Sequence, residues 1–173
     1  MQYPIYLNRL TLLFLPARIV IVMIEIDQSN KIERTAKSTI LAMCNEHKRT
    51  ILIPAGIKRE ALQHLRSKSK GRNMAYYQLF AAGLFILLEP HLPDIIKHKV
   101  NIMIDTEYVG QDDKIKGILL EYAHRKGLNL SKRQIFFAQV GKKSEAHKMA
   151  WNVQRGNIKA DYVVTLRDLS PFL

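Results

Sequence analysis

The sequence predicts an α/β domain built on a mixed sheet with helices on both faces. Three observations lead there. Short β-branched runs joined by tight polar connections fill the first third of the chain. Beyond residue 57 the apolar spacing lengthens to a helical period and then alternates between the two. The 173 residues, 47% of them hydrophobic, suffice for one real core and are too apolar for a disordered tail.

Residues 18–27 (RIVIVMIEID) read as a first strand, and Ser29, Asn30 and Lys31 supply the turn after it. Residues 38–44 (STILAMC) give a second strand, with Asn45, Glu46 and His47 as a tight connection. Residues 49–53 (RTILI) give a third, ended by Pro54 and Gly56. Strands so closely linked imply an antiparallel meander. Ile57, Ala61, Leu62 and Leu65 then recur at helical spacing, until residues 67–72 (SKSKGR) break the helix. Residues 74–88 form a longer apolar helix, closed by Pro90 and Pro93. Residues 100–105 (VNIMID) are a fourth strand. Asp112 and Asp113 open a helix carrying Ile115, Ile118, Leu119 and Tyr122 on one side, and Gly127 caps it. Residues 133–140 (RQIFFAQV) are a fifth strand, and residues 144–153 a helix with Ser144 as N-cap. Residues 162–166 are short and β-like. The order β-β-β-α-β-α-β-α gives a five-stranded mixed sheet, three antiparallel strands followed by alternating helices and strands. One domain is expected over residues 23–173, with residues 1–22 as an N-terminal extension.

Charge narrows the function. Twenty-seven Lys and Arg stand against 15 Asp and Glu, a formal charge of +12. That excess repels itself, and a polyanion relieves it. Nucleic acid is the first candidate partner, an anionic membrane surface the second, and a general compositional bias the bland alternative. The single cysteine, Cys44, excludes an intrachain disulfide framework or a cysteine zinc site. Its apolar neighbours suit a buried thiol in a reducing, cytoplasmic setting. Arg9, Pro16 and Arg18 interrupt the apolar start, so no membrane span is expected there, and no clear cleavage site follows it. Translation beginning at Met23, or a loosely packed extension, is the favoured reading of residues 1–22.

Two acids sit where chemistry could use them. Asp27 ends the first strand after Ile24 and Ile26, and Asp105 ends the fourth after Ile102 and Ile104. If those strands are neighbours, the carboxylates share a crevice and repel each other. A hard divalent cation, Mg²⁺ or alternatively Mn²⁺, would hold both charged. The plainer reading is that each acid caps a strand or binds a loop amide.

The element order and these acids resemble the ribonuclease H fold. Asp27-Gln28-Ser29 looks like that family's first acidic motif, and Asp105-Thr106-Glu107-Tyr108-Val109 like its third. Gly156-Asn157-Ile158-Lys159-Ala160-Asp161 matches a motif near the C-terminus of many members. The resemblance spans about residues 20–165. It implies strands one to three antiparallel and strands four and five parallel to strand one. It also implies two-metal hydrolysis of phosphodiester bonds in RNA–DNA hybrid or structured nucleic acid, with Asp27, Asp105 and Asp161 as metal ligands. Where the family carries a second acid on its first long helix, Gln78 stands here in Gln78-Leu79-Phe80-Ala81-Ala82. Glu60, one helical stretch earlier, is an alternative, and Glu145 or His147 are alternatives for the ligand on the last helix. His147 suits metal binding or proton transfer, although a lone His is more often structural.

Lys58, Arg59, Arg66, Lys68, Lys70 and Arg72 crowd into one stretch around a flexible Ser/Gly loop that would follow a phosphate backbone without reading bases. Lys142, Lys143 and Lys148 form a second cluster. The plain alternative for both is a solvated face. Tyr76 and Tyr77 offer stacking or core packing, and Trp151 reads as a packing anchor. Three functions stay open: a metal-dependent nuclease, an inactive nucleic-acid-binding module on the same fold, and a protein-interaction domain with a basic face.

Overall fold

The structure is a computed structural model, and it describes residues 23–69, 71 and 73–173. The extension 1–22, and with it the expected strand residues 18–22, lies outside the described residues, as do Lys70 and Arg72.

Six strands form one sheet: β1 (Met23–Ser29), β2 (Thr39–Cys44), β3 (Arg49–Ile53), β4 (Asn101–Asp105), β5 (Ile135–Ala138) and β6 (Tyr162–Val163). Their order is β5-β4-β1-β2-β3-β6. β1, β2 and β3 are antiparallel neighbours, whereas β4 runs parallel to β1 and β5 parallel to β4. The tight connections hold because Asn30 and Asn45 accept positive φ, 62° and 86°, as Asn does more readily than most residues.

Among the described residues the sheet has six strands where five were expected. β6 pairs parallel to β3, and the Val164 N–H donates to Leu52 O at 2.8 Å. The chain therefore uses the otherwise open edge of β3. The β-like stretch stops at Val163, because Thr165 caps a short helix, α6 (Leu166–Leu169), through a reciprocal bond with Asp168.

Five further helices complete the layers: α1 (Ala55–Lys68), α2 (Met74–Leu88), α3 (Leu92–Lys97), α4 (Asp112–Arg125) and α5 (Glu145–Gln154). Alternation along the strands sorts the faces. Ile24, Ile26, Leu41, Met43, Ile51 and Ile53 join α1, α2 and α4 in the main apolar cluster. Gly83 lets α2 approach closely: a Cβ there would meet Leu41 Cδ1 at 2.9 Å and Ile53 Cδ1 at 3.2 Å. The helical run Met74–Lys97 is apolar enough to cross a membrane by length and composition, but 67% of its most apolar window is buried in the fold. The opposite face meets α5, where Ala150 and Val153 pack on Ile40 and Ala42. Ser144 caps α5 as expected, accepting from the Ala146 N–H at 3.1 Å. Cys44 is buried, as its neighbours implied.

Candidate metal centre

β1 and β4 are direct neighbours in register Ile26↔Ile104, so Asp27 and Asp105 follow on the next rung. Period-two alternation turns both away from the main core and toward the α5 face. One oxygen from each of Asp27, Asp105 and Glu107 lies within 4.8 Å of the others. Among the described residues this is the group of three that could hold a metal ion.

Each acid is fixed separately. Asp105 Oδ1 accepts from the Val140 N–H at 2.7 Å, tying the crevice to the loop after β5. Glu107 is drawn in where β4 ends and the chain doubles back, its N–H donating to Asp105 O at 3.0 Å. Lys31 Nζ lies 3.1 Å from the Glu107 carboxylate and donates to its carbonyl at 2.8 Å. Asp27 is only 4% exposed, and His147 Nδ1 meets its Oδ2 at 2.9 Å. Burial, and then the Asp105 charge, push the Asp27 carboxyl above its ordinary pKa, while His147 pulls it back. Burial also raises Glu107, against the pull of Lys31. Three crowded carboxylates, oxygen donors throughout, are a donor set that fits a hard divalent cation such as Mg²⁺ or Mn²⁺.

The other expected residues fall elsewhere. Asp161 accepts from the Thr50 N–H at 2.7 Å and from its hydroxyl at 2.8 Å. Thr50 is level with Asp27 through Ala42, so Asp161 sits two strands away, roughly 10 Å. It clamps β6 to β3 instead of joining the acids. Gln78 points into a cleft with Leu65, Tyr122 and Phe172, where the Ser69 hydroxyl donates to its Oε1 at 2.5 Å. Glu60 is exposed on α1. Glu145 is exposed and pairs with Lys148 at 2.7 Å, which keeps its carboxyl below the usual range. Of the two alternatives on α5, His147 is the one that reaches Asp27.

The basic residues also divide. Lys58 is fully buried, its ammonium donating to Thr39 Oγ1 at 2.8 Å and Arg34 O at 2.9 Å, and burial lowers its pKa to about 8. It ties α1 to the loop before β2 and is not open to a phosphate. Arg59 is exposed and donates to Thr35 O at 3.0 Å. Arg66 donates to the Tyr76 hydroxyl at 2.8 Å, and Lys68 donates to Leu173 O at 3.1 Å. Tyr76 and Tyr77 are both half-buried, with Tyr77 edge-on to Tyr108. Lys142 and Lys143 are exposed in the loop that carries Val140, beside the acids. Trp151 is no packing anchor: it is 43% exposed, and the Arg155 guanidinium lies 4.5 Å over its ring.

Sequence reasoning missed Glu107 as a member of the acidic group. The available signal was its place two residues past a strand-ending Asp, where the chain must turn. Comparison with family models, curated proteins and solved structures finds no match for this chain.

Proposed function

We infer that the chain is a divalent-cation-dependent nuclease of the ribonuclease H type, acting on phosphodiester bonds of nucleic acid. The observation carrying this reading is the gathering of Asp27, which lies within β1 two residues short of its end, Asp105 at the end of the neighbouring parallel β4 and Glu107 just past it, with His147 on Asp27. The arrangement of β1 to β5 is in keeping with that fold, to which β6 is an addition. Asp27, Asp105 and Glu107 would hold the cation. When bound, it would stabilise charge on the scissile phosphate and lower the pKa of an attacking water. His147 meets the Asp27 carboxylate through Nδ1 and would be the imidazole available to move a proton beside the cation. Lys142 and Lys143 offer phosphate contacts from the adjoining loop.

A second reading, an inactive binding module, is favoured by Asp161 and Gln78 being engaged away from the acids. One experiment separates the two. Labelled RNA–DNA hybrid, duplex and branched DNA are incubated with the folded chain, with Mg²⁺ or Mn²⁺ and with chelator. The nuclease reading expects metal-dependent cutting, lost in Asp27→Asn. Salt-sensitive binding unchanged by that substitution, with no cutting of any substrate, would favour the binding module.

A further inference from the structure

Trp151 lies one helical turn beyond His147 on the same flank of α5, the flank that meets β1 through His147–Asp27 and Gln154–Ser29. An indole on a small basic domain is normally buried, yet this one is 43% exposed. Arg155 covers part of the ring from 4.5 Å and holds it by cation–π attraction. The helix and the loop leading into it carry exposed Lys142, Lys143 and Lys148, the last paired with Glu145. A large π-surface with one guanidinium against its ring, on a helix entered through exposed lysines and set beside an acidic crevice, matches one chemistry: an unpaired base with phosphates on either side. A paired base keeps its faces inside the duplex and could not use the indole. Charge complementarity favours this occupant over an apolar protein surface, which would leave Lys142, Lys143 and Arg155 without an anionic partner.

We propose that Trp151 and Arg155 form a stacking platform that holds an unpaired nucleotide next to the acidic group, making single-stranded or branched nucleic acid the substrate class. This rests on the nuclease reading for the role of the acids, but not for the binding itself. Trp151 is the chain's single Trp, so its emission reports the platform directly. The test titrates the full chain, in EDTA, with an oligothymidylate of about 12 nucleotides while a dye on the oligonucleotide reports occupancy. Trp emission falls as the sites fill, and an RNA–DNA hybrid of equal length quenches less. Trp151→Ala weakens binding about tenfold, whereas Trp151→Phe, which keeps a ring, stays within about threefold of wild type. Lys142→Ala weakens binding at low salt but leaves the quenching at saturation unchanged. Unaltered emission at saturation, an Ala variant that binds like wild type, or equal quenching by hybrid overturns the platform. Absence of any oligonucleotide binding at about 50 mM salt overturns it too and points to a protein partner instead. Because no cutting occurs in EDTA, quenching without any metal-dependent cleavage would sink the nuclease reading alone. Cleavage without quenching would sink the platform alone.

Discussion

Against α2 the sheet presents Ile26, Leu41, Met43, Ile51 and Ile53, all buried in one apolar cluster. Against α5 it presents Glu25, Asp27 and Ser29 on β1, and beside them Cys44 and Thr50 with the apolar Ile40, Ala42 and Leu52. The first face is sealed by three helices and holds the fold. The second is covered by one short helix whose contacts to β1 are polar: Ser144 to Glu25 at 2.6 Å, His147 to Asp27, and Gln154 to Ser29. Buried carboxylates that repel each other do nothing for stability. Placing them on the thinly covered face lets the chain tolerate that cost and keeps them reachable.

The sharpest way to break this contrast is to damage each face in turn. Phe85→Ala, in the sealed cluster, is expected to lower unfolding free energy by about 3–5 kcal/mol in denaturant titrations. Asp27→Asn, on the other face, removes a repulsion along with a bond and is expected to change stability by less than about 1 kcal/mol. Comparable losses from both would mean that the acids are structural.

Asp161 tests the edge of the same face. Asp161→Ala leaves the Thr50 N–H and hydroxyl without their acceptor and frees β6, at a cost of about 1–3 kcal/mol. Metal-dependent cleavage by the still-folded fraction is expected to persist, since Asp161 lies apart from the acidic group. Loss of cleavage in folded Asp161→Ala would put it back among the functional residues.

Lys58 is a buried charge on the sealed side, and it gives a pH signature. Its folded pKa of about 8 lies below the ordinary 10.5. Between those values the unfolded chain binds the proton that the folded chain has released, so this group makes stability rise with pH. Lys58→Met is expected to flatten the slope across that window in unfolding curves taken from pH 7 to about 10.5.

The sealed face was largely legible in the sequence, because apolar periodicity reports burial directly. Residues 74–88 were read with the bounds they have, and two apolar strands marked Asp27 and Asp105, with their meeting conditional on a strand pairing that the sheet supplies and with β1 running on to Ser29. The charged residues were less legible, because charge alone does not say where a side chain goes. Lys58 was counted with its cationic neighbours, although Ala61, Leu62 and Leu65 put it on the buried stripe of α1 at spacings of three, four and seven. Asp161 carried a familiar pattern, but its partner Thr50 lies 111 residues away, on an edge no local signal reveals. Glu107 carried only the signal of its place two residues past Asp105, and Trp151 depends on how far a helix covers the sheet, which residue spacing does not show.

The central claim is that Asp27, Asp105 and Glu107 form one divalent-cation site. Calorimetric titration of Mn²⁺ into the full chain tests it without any substrate. The account expects saturable binding that disappears in Asp27→Asn and in Asp105→Asn, and survives in Asp161→Asn. Binding that is absent from the wild type, or unchanged by Asp27→Asn, would contradict it.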